Sequence, residues 1–138
     1  MLHSNSMPYQ IFIIEDHPDF AMALRFVFES EQRFHVCGIA HDIPTALRKI
    51  PNAGAHLVTI DVNLPSGSGL DHIRALQGLN PTARFLAISH EEPMTHSPIA
   101  RDAGASGYLR KGATPQKIIE VADTLLSGEE YFPGVPER

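Results

Sequence analysis

The 138-residue chain has a single cysteine, no tryptophan and only 7% aromatic residues. A lone cysteine cannot close an internal disulfide, so no covalent framework staples the fold, and a reducing cytoplasm is the expected compartment. Basic residues are also few. Eleven Lys and Arg stand against 16 Asp and Glu, a net charge of −5, which is the wrong balance for a nucleic-acid-binding surface. No apolar run approaches the ~20 residues of a membrane span, and residues 1–8 lack the apolar centre of a signal peptide. The eight histidines show no zinc-ligand spacing. What remains is the composition of one globular domain, large enough to bury a core.

Apolar runs rich in β-branched residues alternate with helical patterns along the chain. The clearest runs from Leu57 to Ile60, as expected of a strand buried on both faces. Asp61 stands at its end, and Leu64-Pro65-Ser66-Gly67 then turns the chain. Other strands are expected at Gln10–Glu15, Phe34–Ala40, Arg84–Ser89 and Ser106–Leu109. The first helix opens at His17-Pro18-Asp19, with His17 as its cap, and repeats Phe20, Ala23, Leu24 and Val27. The second buries Ala46, Leu47 and Ile50, and the third is marked by Leu70, Ile73 and Leu76. Pro93 and Pro98 leave only Ile99–Ala103 as comfortable interior for the fourth. The last opens at Thr114-Pro115 with the stripe Ile118, Val121, Ala122 and Leu125, while Ile119 and Leu126 form either an exposed seam or further core.

Five strand–helix units in succession imply right-handed crossovers and a parallel sheet covered on both faces, an α/β doubly wound (βα)5 domain over residues 9–128. Residues 1–8 read as a disordered tail. Residues 129–138 read as a linker stump towards an output domain absent from this chain. Cys37 reads as inert core.

In such a sheet the strand ends converge on one edge, where ligands bind. Glu15-Asp16, Asp61, Ser89 and Lys111 each follow a different expected strand. Three crowded carboxylates repel one another unless a cation neutralises them, and oxygen ligands of this kind suit Mg2+. A carboxylate nucleophile, a divalent cation, an ammonium and a hydroxyl are the parts needed to form an acyl phosphate.

These residues resemble the receiver domain of bacterial two-component response regulators, from about Tyr9 to Leu126. The resemblance is carried by Glu15-Asp16, Asp61 with Leu64-Pro65 and Gly67/Gly69, Ser89, and Gly104-Ala-Ser-Gly-Tyr-Leu-Arg-Lys111. The texture of Glu-Asp-His-Pro is similar to the NarL/FixJ (LuxR-type) subgroup. The resemblance implies strand order 2-1-3-4-5, Asp61 as phosphoacceptor, and Mg2+ held by Glu15, Asp16, Asp61 and the backbone carbonyl of Asn63. It implies phosphoryl contacts from Ser89 and Lys111, and Tyr108 as an aromatic switch that turns inward from an exposed position. It further implies a sensor histidine kinase as donor, homodimerisation on phosphorylation, and DNA contact only through an output domain beyond this chain. Gly112 after Lys111, the bulky His90 after Ser89, and Pro98 depart from the usual pattern. Two other readings stay open: a receiver-like interaction module that works unphosphorylated, and an aspartate-nucleophile phosphatase. The latter would need a second acid where Asn63 stands.

Overall fold

The computed structural model describes residues 7–65 and 67–135, so most of the expected 1–8 tail and the end of the 129–138 segment lie outside the described residues. Its strands are β1 (Tyr9–Ile14), β2 (Phe34–Ala40), β3 (Leu57–Asp61), β4 (Arg84–Ser89) and β5 (Gly107–Arg110). They form one parallel sheet in the order β2-β1-β3-β4-β5. A small antiparallel hairpin, Asn63–Leu64 against Gly67–Ser68, leaves the end of β3. The helices are α1 (Pro18–Glu29), α2 (Ile43–Lys49), α3 (Ile73–Leu79), α4 (Pro93–Ala103) and α5 (Pro115–Leu126). This is the expected doubly wound α/β domain.

Two-residue alternation sorts each strand between two cores. Phe12, Ile14, Val58, Ile60, Phe85 and Ala87 face α2, α3 and α4 through Ile43, Ala46, Ile73, Leu76 and Ala100. Ile11, Ile13, Leu57, Leu86 and Ile88 face α1 and α5 through Leu24, Phe28, Ile118, Val121 and Leu125. Each Val, Leu, Ile or Phe among them, fully buried, stabilises the fold by about 1.5–3 kcal/mol before entropy is counted. β3 is buried along its whole length because it lies between β1 and β4 and is covered by both layers.

Local chemistry sets the helix starts. The Asp42 carboxylate accepts from Thr45 N at 2.7 Å and the Thr114 hydroxyl from Lys117 N at 3.1 Å, satisfying N–H groups that have no partner within the helix. Proline lies in the first turn of α1, α2, α4 and α5, where no N–H is needed. Gly104 ends α4 in the left-handed conformation at φ 108°.

Several expectations shift. Ala23 and Leu47 are exposed; Ala21, Phe28 and Ile43 take the buried places. α4 runs through Pro98 for 11 residues. The proline removes only a bond to the Met94 carbonyl, and both residues are exposed, so water can serve that oxygen. Leu70 sits in a short 3-10 turn ahead of α3. Ile119 and Leu126 are half-buried against the α1–α5 core, and Cys37 is half-buried. Part of the expected linker is packed: Tyr131 bridges Gly107 in parallel, and Phe132 packs against the α4 side.

Candidate functional site

β1, β3, β4 and β5 deliver their C-terminal residues to one rim of the sheet. Glu15 follows β1 with its N–H bonded to Ala40 O, and Asp61 closes β3; both are 1% exposed. Lys111 follows β5 and is fixed by its N–H to Ser89 O at 2.9 Å. Its ammonium stands 3.2 Å from Asp61 Oδ2 and 3.3 Å from Glu15 Oε1, over the Phe20 ring at 5.0 Å. One buried ammonium therefore serves two buried carboxylates, with a third, Asp16, beside them. The structure brings together Glu15, Asp16, Asp61, Asn63, Ser89 and Lys111.

The electrostatics follow from that shortage of positive charge. Burial pushes the Asp61 carboxyl up to about 7. The Asn63 N–H, donating to Oδ1 at 2.9 Å, works the other way but does not offset burial and the neighbouring Asp16 and Glu15. Asp16 moves oppositely. Burial works upward on it, yet a proton shared with Asp61 and the nearby His17 outweigh that and hold it below the usual range.

Asp16 Oδ1 is buried without a hydrogen-bond partner, and oxygens or ring nitrogens of Glu15, Asp16, His17 and Asp61 lie within 4.8 Å of one another. An unserved acceptor among crowded carboxylates fits a hard divalent cation. A groove of about 430 Å³ lined by Asp16, Val62, Asn63, Leu64 and Pro65 opens beside it. A second pocket of about 340 Å³ is lined by His17, Phe20, His90, Lys111 and Gly112.

Three side chains behave differently from the sequence expectation. His17 occupies the cap position of α1 but makes no capping bond; its Nδ1 lies 3.2 Å from Glu15 Oε2 and 3.3 Å from Asp16 Oδ1. The Asn63 side chain, for which no protein partner was expected, accepts from Ser89 Oγ at 3.2 Å. Tyr108 is fully buried, not exposed, with its hydroxyl donating to Glu91 O at 2.8 Å. No short-range sequence signal marks these contacts, because each joins residues from separate loops or depends on one rotamer. Gly69 has a packing reason: a Cβ there would collide with the carbonyl oxygen of Asp61.

A parallel sheet in this order, with an acidic cluster and a lysine at its carboxyl rim, defines a CheY-like domain of the signalling type. The chain belongs to the response regulator receiver domain family, whose model matches residues 11–123. Among curated proteins it is 31% identical over 128 residues to the virulence-factor transcription regulator BvgA of Bordetella pertussis, covering 90% of this chain and 59% of that protein. It is 27% identical over 125 residues to the nitrate/nitrite response regulator NarP of Escherichia coli K12, covering 91% and 58%. The chain thus spans under two thirds of these relatives. A LuxR-family response regulator from Aurantimonas sp. SI85-9A1 superposes with TM-score 0.84 at 25% identity, covering 91% of each chain. A Burkholderia pseudomallei response regulator, crystallised with a phosphorylated aspartic acid and a calcium ion, gives 0.75 at 28% identity, covering 87% of this chain and 69% of that one. The chain is a receiver domain of the NarL/LuxR kind. Among the described residues no helix is long and apolar enough to cross a membrane.

Proposed function

We propose that this receiver takes a phosphoryl group from a sensor histidine kinase onto Asp61 and passes the change to an output through the α4–β5–α5 face. The observation that carries this is Asp61 itself: a buried carboxylate at the end of the central strand, 3.2 Å from an ammonium and clustered with two further acids. The phosphorylated aspartate of the Burkholderia relative supports it.

Glu15, Asp16, Asp61 and the Asn63 backbone carbonyl would hold Mg2+, which neutralises charge on the carboxylates and on the incoming phosphoryl oxygens. This chain's own residues do the rest. An oxygen of Asp61 attacks phosphorus, the P–N bond to the kinase imidazole breaks, and the freed imidazole nitrogen takes up a proton. Lys111, already between Asp61 and Glu15, moves onto the new anion. The Ser89 hydroxyl exchanges Asn63 Oδ1 for a phosphoryl oxygen. The domain so assists its own modification and its hydrolysis, as a signalling module and not an enzyme acting on an external substrate. The output is transcription through a LuxR-type helix-turn-helix domain, with homodimerisation on phosphorylation. The setting is the cytoplasm.

Incubation with Mg2+ and acetyl phosphate, followed by intact mass measurement, tests the assignment. One phosphoryl mass is expected on the unaltered chain and none on Asp61→Asn. Persistence of that mass in the variant would remove Asp61 from the role.

A further inference from the structure

The family resemblance implies that Tyr108 turns inward when Asp61 is modified. Yet its ring is already fully buried, in the core that holds Ala87 and Ala100, with its hydroxyl donating to Glu91 O at 2.8 Å. Some group of the unmodified chain must hold that arrangement, and the contacts of Ser89 identify it.

The buried Ser89 hydroxyl accepts from Glu91 N at 3.1 Å and donates to Asn63 Oδ1 at 3.2 Å. The first bond fixes the loop whose Glu91 carbonyl receives the Tyr108 hydroxyl. The second reaches the acidic site. Pairing between β3 and β4 continues past Asp61 through Val62 N to Ile88 O at 3.0 Å, and the small hairpin pairs Asn63 with Ser68. Asn63 is held there with its own N–H on Asp61 Oδ1 at 2.9 Å. One residue thus joins the acceptor carboxylate to the Ser89 hydroxyl, which is the connection a phosphoryl oxygen on Asp61 would make.

We propose that the Asn63 side-chain amide stands in for a phosphoryl oxygen, holding Ser89 towards the site and Tyr108 inward before Asp61 is modified. Asn63 is in this sense a positioning residue for the switch, and its role rests on the phosphoacceptor reading above. Phosphorylation replaces a neutral acceptor by a charged one that bonds more strongly. It deepens a bias already present and does not throw the ring from outside to inside. The α4–β5–α5 face is set in part before any donor arrives, so output has a basal level that the phosphoryl group raises.

Tetranitromethane, which nitrates tyrosines that solvent can reach, reads the Tyr108 ring when the modified site is located by peptide mass. In the unaltered, ion-free chain Tyr108 is expected to react slowly, and saturating Mg2+ with beryllofluoride, as the acyl-phosphate probe, to change its rate little. Asn63→Ala should raise the ion-free rate about fivefold, the effect of one ordinary hydrogen bond, and the probe should restore protection. Asn63→Asp, which keeps an acceptor oxygen, should stay near the unaltered rate. Ser89→Ala should match Asn63→Ala, and the two together should add nothing further, because Asn63 acts through Ser89. A Tyr108 that reacts rapidly in the unaltered chain and is slowed by the probe, or an Asn63→Ala rate equal to the unaltered one, would overturn the stand-in. Failure of the unaltered chain to bind beryllofluoride, followed by fluorine NMR, would overturn the phosphoacceptor reading instead, while the ion-free rates still decide whether Asn63 sets Tyr108.

Discussion

Replacing Asp61 with asparagine is expected to make the ion-free protein more stable at pH 8, although it removes the central group of the site. Burial, with Asp16 and Glu15 alongside, raises the Asp61 carboxyl to about 7, whereas in an unfolded chain it titrates near ~3.9. Between those values the folded protein holds a proton the unfolded chain has released. The contribution is therefore complete on the acid side and is lost as pH rises from ~4 through ~7. About three units at ~1.4 kcal/mol each set a ceiling near ~4 kcal/mol. Asp16, held low by the same shared proton, returns part of it, so a gain of about 1–3 kcal/mol is expected. Asparagine keeps an oxygen for the Asn63 N–H and carries no charge. At roughly 4 °C per kcal/mol for a domain of this size, Tm should rise by roughly 4–12 °C. Thermal unfolding followed by circular dichroism in EDTA, at pH 8 and pH 5, measures this. The gain should shrink by more than half at pH 5. A variant no more stable than the parent at pH 8, or a gain independent of pH, would refute the electrostatic argument.

Lys111→Ala leaves Glu15 and Asp61 without their shared ammonium and should cost about 2–4 kcal/mol at pH 8, with recovery on saturating Mg2+; no recovery would misplace the cation. Glu15→Gln with Asp16→Asn should abolish saturable Mg2+ binding by titration without lowering Tm at pH 8, since two like charges beside Asp61 are gone. Gly69→Ala drives a methyl into the Asp61 carbonyl and should lose more than ~2 kcal/mol in urea unfolding, with a main-chain shift at the end of β3. The phosphoform should be short-lived, because Asn63 and Glu91 can orient a water. His90→Ala should decay faster by unshielding the site; decay over many hours that this variant does not hasten would contradict both parts.

The strands were legible because buried parallel strands must be apolar and β-branched throughout, as Leu57–Ile60 shows, and Pro and Gly punctuate the helices between them. The rim followed from topology: residues ending strands one, three, four and five have to meet. Helix faces were harder to read. Ala23 suits either surface or core, and Leu47 continues an apolar pattern whose buried place Ile43 fills from the turn above. The length of α4 was hidden by Pro98, whose cost is small on a solvated face. The Asn63–Ser89 bond, the inward Tyr108 ring and the His17 contact with Glu15 depend on which rotamer meets which neighbour. No sequence period encodes that.

The Tyr131 bridge also has a meaning for aggregation. β5 is an outermost strand, and a parallel sheet edge presents N–H and C=O groups that a second chain can pair with. Here the neighbouring backbone spends Tyr108 N and Ser106 O within the same molecule. A chain cut back to the end of α5 at Leu126 would expose that edge. Such a fragment should be sticky and poorly soluble, so a workable recombinant boundary for this receiver lies past Val135 and not at the end of α5.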